Sequence, residues 1–372
     1  MLLVMSKLLN ELRERLHGEV EVDAQSRDFF ATDGSIFKVT PKVVIYPYNE
    51  NDVIETLRFN NQLVESGNAL PITARGKGTD QSGASLTEGI SVVFPAHMKR
   101  LMAMDKETIT VQPGMIYAHL ESVLHSHGRF LPPYPASVDF CTIGGSLANN
   151  AAGEKTLKYG ATRKYVAGLR VVLYNGDVIE TYRLNKKQLA QKKKQQDLEG
   201  QIYNRLDEII TNNWDLIKDN KPKVSKNSAG YALWDIKRTD GSFDLSQLFV
   251  GAQGTLGIIT EAMMYHVPYN PHTTLLVGFF ESVKKLQEAV VEIAPLNPSA
   301  QEVVDHNVID FVMANRPAVV KNLLPDQMPE VVLLVEFDDS KARVQDKKAA
   351  QTKKILSNYA YSMKHSTNKL EQ

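Results

Sequence analysis

"LPITARGKGTDQSGASLTEGISVVFP", residues 70–95, sets two short extended runs, 70–75 and 89–95, on either side of a loop with three glycines and four hydroxyls. Backbone N–H groups converge on an anion only where no Cβ intrudes and positive φ is allowed. Gly76, Gly78 and Gly83 meet that condition, and Thr79 and Ser82 add side-chain donors. The loop can cradle a pyrophosphate, or it is a plain glycine-rich turn. It is neither the nucleotide P-loop, with its Gly-Lys-Ser/Thr ending, nor the dinucleotide fingerprint that opens a helix.

Working outward, "KVVIYP" (42–47) has the β-branched density of a strand. Residues 49–67 follow with polar caps, helical spacing of Val53, Ile54, Leu57 and Val64, and a closing glycine. A strand, helix, strand unit therefore leads into the glycine loop. "TITVQPG" (108–114) reads as another strand and 117–127 as a helix, and "GRFLPPYPAS" follows on an extended, turning path. "GLRVVLYNGDVIETY" (168–182) is a hairpin with Asn175-Gly176 at its turn. The pattern is α+β with a mixed sheet.

The chain has 372 residues, enough for two domains of ordinary size. Its 43 basic and 43 acidic residues cancel, so no global field favours nucleic acid, an anionic membrane or an acidic polymer. A small neutral or modestly charged ligand fits better. One cysteine, Cys141, excludes a disulfide framework and a cysteine-based zinc cluster, and suits a reducing, cytoplasmic setting. The opening "MLLVMSKLLNELRERL" is too short an apolar run to span a membrane and reads as an amphipathic helix, with Leu8, Leu9, Leu12 and Leu16 on one face. Lys192–Lys194 is a solvated helix face, followed by a helix with Ile202, Leu206, Ile209 and Ile210 inward.

A second loop, "PASVDFCTIGGSLANNAAGEKTLKYGATRKYV" (135–166), carries Gly144, Gly145, Gly153 and Gly160, short hydroxyl residues, and Asn149 beside Asn150. It holds no metal-ligand cluster and no paired carboxylates, and it suits close approach to a large planar or phosphate-bearing ligand. Further on stand "KNSAGY" (226–231) and "LFVGAQGTLGIITEA" (248–262), the latter a strand-like run interrupted by Gly251, Gly254 and Gly257.

Together and in this order, the four stretches resemble the FAD-linked oxidases and dehydrogenases of the vanillyl-alcohol oxidase superfamily, in particular the D-lactate, glycolate and D-2-hydroxyglutarate dehydrogenase branch. The resemblance runs from about Pro41 to about Pro268. It implies a PCMH-type FAD-binding domain of two α+β subdomains over 41–270, preceded by an N-terminal helical segment, 1–40. A start of an incomplete, ferredoxin-like α+β cap follows over 271–372. It also implies that the first loop, with Arg75, Gly76, Lys77, Gly78, Thr79, Ser82 and Gly83, wraps the FAD pyrophosphate. For Arg75, pairing with phosphate and pairing within the protein both stay open.

The family's second loop lies along the flavin and ribityl chain, which assigns cofactor contacts to Pro135, Ser137, Thr142, Gly144, Gly145, Ala148, Asn149, Gly153, Tyr159 and Gly160. Gly254, Ile258 and Ile259 fall at the adenine side. Many relatives tether the flavin through a histidine where this chain has Thr79, so the FAD is expected to be noncovalent. Lys226, Asn227 and Tyr231 face the substrate side by resemblance, or form a turn; the arginine common just before that motif is Ser225 here. Cys141 reads as a small core residue, and His125 and His127 as exposed or helix-capping.

In the cap, 273–294 reads as strand then helix, and 330–339 as a strand followed by a charged helix. His272, His306 and His365 do not reproduce the family's metal and substrate cluster, so no metal is assigned. The resemblance implies hydride transfer from the hydroxyl-bearing carbon of a D-2-hydroxy acid to flavin N5 while a base takes the hydroxyl proton. That base is expected beyond Gln372, and the electron acceptor is left open. Two alternatives stand beside this reading. One is a different substrate within the superfamily, as in the UDP-acetylmuramate reductase or alkyl-dihydroxyacetone-phosphate synthase branches. The other is an FAD-binding subunit that needs a partner chain.

Overall fold

The glycine loop sits where a parallel strand of a small mixed sheet ends. In this computed structural model, residues 2–367 are described except 65, 225, 321 and 322, and the side chains of 2–8, 319 and 320 are left out, so Leu8's side chain and Ser225 lie outside the described residues. The chain divides into two units, 1–152 with 161–267, and 153–160 with 268–372.

In the first unit, helix α1 (Leu2–Arg15) leads to strand β1 (Glu19–Glu21) and helix α2 (Ala24–Phe29). Strand β2 (Val43–Tyr46), helix α3 (Glu50–Gln62) and strands β3 (Ile72–Arg75) and β4 (Ile90–Val93) follow. The sheet order is β1-β2-β4-β3, with β4 parallel to both neighbours and β1 antiparallel to β2. β2 and β3 therefore flank β4 instead of pairing, which sends both loops after the parallel strands to one end of the sheet.

The start of α3 shows how the N-terminal residues are tied in. Asn49 caps the helix by accepting from the N–H of Asp52. The Asp52 carboxylate, fully buried, accepts the N–H groups of His17, Gly18 and Tyr48 at 2.8–2.9 Å. Leu12, Leu16 and Val20 share a core with Val43, Ile45, Val53 and Val92. The boundary expected at residue 40 is thus not a structural one: residues before it supply an edge strand and core of the first unit. Asp52→Ala takes the shared acceptor from three part-buried N–H groups, and at about 0.5–1.5 kcal/mol for each net hydrogen bond it is expected to lower the unfolding free energy by about 1.5–4.5 kcal/mol. Urea denaturation of the two proteins measures this.

The second sheet of this unit is antiparallel throughout. Its order is Phe243–Asp244, Val178–Leu184, Val166–Val172, Ile258–Tyr265, β6 (Thr108–Val111) and β5 (Leu101–Met104). The Asn175-Gly176 turn joins the expected hairpin, with Gly176 at φ +82°. Helix α4 (Tyr117–Ser126) ends one residue before the expected limit. The run at 248–257 departs from its strand-like reading. It begins in a short helix, Ser246–Phe249, and then turns through Gly251, Gln253 and Gly254, all at positive φ, before the strand opens at Ile258.

The second unit follows a β-α-β-β-α-β order, with a helix His306–Asn315 and a short helix Pro317–Val320 added between its second and third strands. Thr274–Phe280, Ala300–Asp305, Val331–Phe337 and Ser362–Ser366 form one antiparallel sheet, with Thr274–Phe280 and Val331–Phe337 central. Helices Val283–Ile293 and Ala342–Tyr359 cover one face through Leu286, Ala289, Ile293, Ala349 and Leu356. That is the ferredoxin-like arrangement. Residues 153–160 belong to this unit: Lys155 pairs with Glu336, and Lys158 and the Tyr159 hydroxyl bond Asp338 at 2.5 and 2.8 Å. No described helix is long and apolar enough to cross a membrane.

Candidate cofactor cleft

Three segments of the first unit line one cleft: the loop after β3, the segment around helix α5 (Ile143–Ala148), and the turn at 252–257. α5 starts at Thr142, whose hydroxyl accepts the N–H of Gly145 at 3.2 Å. The turn is fastened to α5, because Gly251 N–H donates to the Leu147 carbonyl and Gln253 N–H to that of Ala148. Close approach explains two of the glycines. A Cβ on Gly76 would strike the Thr142 side chain, and one on Gly144 would lie 2.6 Å from Pro113 Cβ.

The first loop offers a row of donors. Among the described residues, the N–H groups of Lys77, Gly78, Thr79, Asp80 and Gln81 find no hydrogen-bond partner, and all five residues line the cleft. Gly78 has φ +68°, which lets the run curve as a nest does. Five consecutive unspent donors match the several oxygens of a pyrophosphate.

Asp80 holds this loop, and the sequence gives no sign of it, since an acid beside a phosphate cradle reads as repulsion. One carboxylate oxygen accepts the N–H of Ser82, its hydroxyl and the N–H of Ala84 at 2.6–3.1 Å; the other accepts Asn149 Nδ2 at 2.8 Å. Burial works against the charged form, yet the bonds from Ser82, Ala84 and Asn149 keep Asp80 below the ordinary carboxylate range. Four donors satisfy its oxygens and bind the first loop to the second.

Of the residues expected at the cofactor, Arg75, Gly76, Lys77, Gly78, Thr79, Pro135, Ser137, Thr142, Gly144, Gly145, Ala148, Asn149, Gly254 and Ile259 line the cleft. Arg75 turns into the protein: it is buried, donates to the carbonyls of Phe30 and Thr32 at 3.1 and 2.6 Å, and stacks over the Phe30 ring, while its buried Nε has no partner among the described residues. Ser82 is spent on Asp80, Gly83 turns the loop at φ +82°, and Ile258 packs into the core of the parallel sheet. Gly153, Tyr159 and Gly160 fall in the second unit, and they are not among the residues that line the cleft. Sequence reading missed Asp80, Gln81, Pro113, Ala151 and Gln253 on the wall.

Lys226 and Asn227 line a different pocket of the same unit. Asn227 closes its own turn on Ala229 and accepts Asn150 Nδ2 on its carbonyl, and the Tyr231 hydroxyl bonds Thr255 Oγ1 at 2.8 Å. Cys141 is buried on the cleft wall, and burial pushes its thiol up against the opposing effect of the Ser137 and Ser146 hydroxyls. His125 pairs with Glu121 and His127 Nδ1 meets the Val123 carbonyl, so both are spent at the end of α4.

Residues 41–182 match the FAD binding domain family, and residues 269–371 match the C-terminal domain of the FAD linked oxidases. The chain is similar to the glycolate oxidase subunit GlcD of Bacillus subtilis, 31% identical over 311 residues, which is 81% of this chain and 52% of that protein. It is similar to the D-2-hydroxyglutarate dehydrogenase of Pseudomonas putida, 29% identical over 301 residues, 80% of this chain and 29% of that protein. The chain thus spans between about a third and a half of the length of these curated relatives. A solved structure titled alkyldihydroxyacetonephosphate synthase shares the fold, with a TM-score of 0.69 at 19% identity over 97% of this chain and 60% of that one.

The donor row, the glycine approaches and the absence of Cβ atoms between them fit FAD. Asp80→Ala is expected to weaken FAD binding at least about tenfold, because it frees the Ser82 and Ala84 donors, releases Asn149, and lets the row relax at a typical 1–2 kcal/mol. Fluorescence titration of the reconstituted protein measures it, with Asp80→Asn retaining part of the affinity.

Proposed function

The chain belongs to the FAD-linked oxidases, and from that we propose that it oxidises a D-2-hydroxy acid of the lactate, glycolate or 2-hydroxyglutarate kind. The cleft with its five unspent N–H groups carries the reading, and relatives named for these acids supply the substrate class. Bound FAD supplies the two-electron acceptor. The chain's own part is to hold the pyrophosphate on the residues 77–81, to bring α5 close through Gly144 and Gly145, and to keep Asp80 ionised and spent.

A second reading, an FAD-holding subunit that acts with a partner chain, is favoured by the poverty of ionisable groups in the cleft. Only Arg75, Lys77, Asp80 and Cys141 line it among the described residues. A relative named as a subunit supports it too. Cytoplasmic residence belongs to the same proposal, supported by the single cysteine.

The flavin is held without a covalent bond. Thr79, which by resemblance takes the tether position, lines the cleft, and the Cys141 thiol, raised by burial, is a weak nucleophile. Acid precipitation of the FAD-loaded protein should therefore leave all of the flavin in the supernatant, and a yellow pellet would overturn the reading.

A further inference from the structure

We propose that the first unit carries a second ligand site, a basic pocket that binds a small polyanion. The pocket encloses about 540 Å³ between the segment around Arg163, residues 221–238, and Arg183. Six cationic side chains line it against two carboxylates.

Two of the six are balanced by the protein. Arg183 bonds Asp240 at 2.5 Å and Ser242 at 2.9 Å, and Lys221 lies 3.5 Å from Asp235. Of the two acids, Asp244 accepts the Ser246 N–H and Gln247 Nε2, neutral donors that leave its formal charge in place, and Asp235 lies by Lys221. Lys164, Lys226 and Arg238 are exposed and have no ion pair among the described residues. Six cations against Asp235, Asp244 and Asp240 leave an excess of three positive charges at the pocket.

Arg163 is the remaining cation, and it lies deepest. Its Nη2 donates to the Val250 carbonyl at 2.6 Å, while Nε and Nη1 are buried with no partner. A carbonyl satisfies a donor but leaves the guanidinium charge in place. Buried polar nitrogens without partners are uncommon because desolvation is costly, so this fixed charge under the pocket floor calls for a counter-charge. A ligand with two or more negative charges would meet the floor charge and the three exposed cations at once. Trp234 and Pro222 add apolar wall, which favours an organic anion over a bare ion. Phosphate-bearing and polycarboxylate molecules share this chemistry.

The test is calorimetric titration of the FAD-loaded protein at low ionic strength with pyrophosphate and, separately, with citrate. Prior saturation with FAD keeps the donor row of the cofactor cleft from taking the probe. One-to-one binding is expected for at least one probe; pyrophosphate alone would identify a phosphate ligand and citrate alone a polycarboxylate. Lys226→Gln and Arg238→Gln change exposed side chains, so each should fold, keep its FAD and weaken the probe up to about fivefold, and together more than about tenfold. Absence of saturable binding, or a double variant within about twofold of the parent protein, would overturn the site.

Discussion

Gly145→Val is expected to give a folded protein that no longer takes up FAD. A Cβ at this position meets Thr142 Oγ1 alone, at 3.3 Å, a tight contact at which that side chain must yield by a few tenths of an ångström. The residue lies within α5, where replacing glycine does not weaken the helix, and its N–H bond to Thr142 needs no side chain. The new methyl groups would fill cleft space that the cofactor needs. Overpacking costs about 1–3 kcal/mol in a protein interior, so an affinity loss on the order of a hundredfold follows if the flavin cannot shift. Flavin absorbance after reconstitution with excess FAD, read beside the thermal midpoint, measures both halves. Stoichiometric flavin in the folded variant would show that this wall does not seat the cofactor. Gly144→Val is the contrasting case, since its Cβ would strike Pro113 and loss of fold would accompany loss of flavin. Gly78→Val carries the same confusion, with φ +68° and Arg75 Nη2 only 2.5 Å away.

The elements that sequence reading placed well are those with local causes. Asn49 caps α3, Asn175-Gly176 turns the hairpin, and Ser282 caps the helix Val283–Ile293. Each is written within four residues of the feature it makes. What the sequence hid depends on distant partners. Lys155, Lys158 and Tyr159 look like part of a cofactor loop, and no periodicity in a four-residue helix, Thr156–Tyr159, shows that they answer Glu336 and Asp338. Those two acids stand two apart, the spacing that puts strand side chains on one side, but their partners are 179 or more positions away in sequence.

The cleft shows the same limit. Its glycines could be read because bare backbone has few other uses, whereas Asp80 organises the loop through donors that only the fold assembles. Arg75 is the opposite case. Its charge left phosphate and protein pairing both open, and the fold turns two of its nitrogens to carbonyls that come before α3.

The FAD-loaded chain, offered D-lactate, glycolate or D-2-hydroxyglutarate without oxygen, is expected to reduce its flavin only slowly. Removing a hydroxyl proton needs a neutral or anionic group within hydrogen-bond reach. Asp80 is acidified by the bonds that hold it, so it is a weak base, and all of its bonds would have to break for it to act. Arg75 and Lys77 are cations, and burial keeps Cys141 as a thiol. Tyr231 donates to or accepts from Thr255, and Lys226 opens on the basic pocket. General base catalysis contributes about 10²–10⁴-fold, so the cleft alone should reduce its flavin at least about a hundredfold more slowly than a longer relative does. Stopped-flow absorbance of the flavin on mixing with each acid reads this directly. Fast bleaching would place the base within these residues, and Tyr231→Phe and Lys226→Met would then show which of the two supplies it. Slow bleaching restored by a second polypeptide would fit the subunit reading, because the added chain would bring the proton acceptor that the cofactor bed lacks.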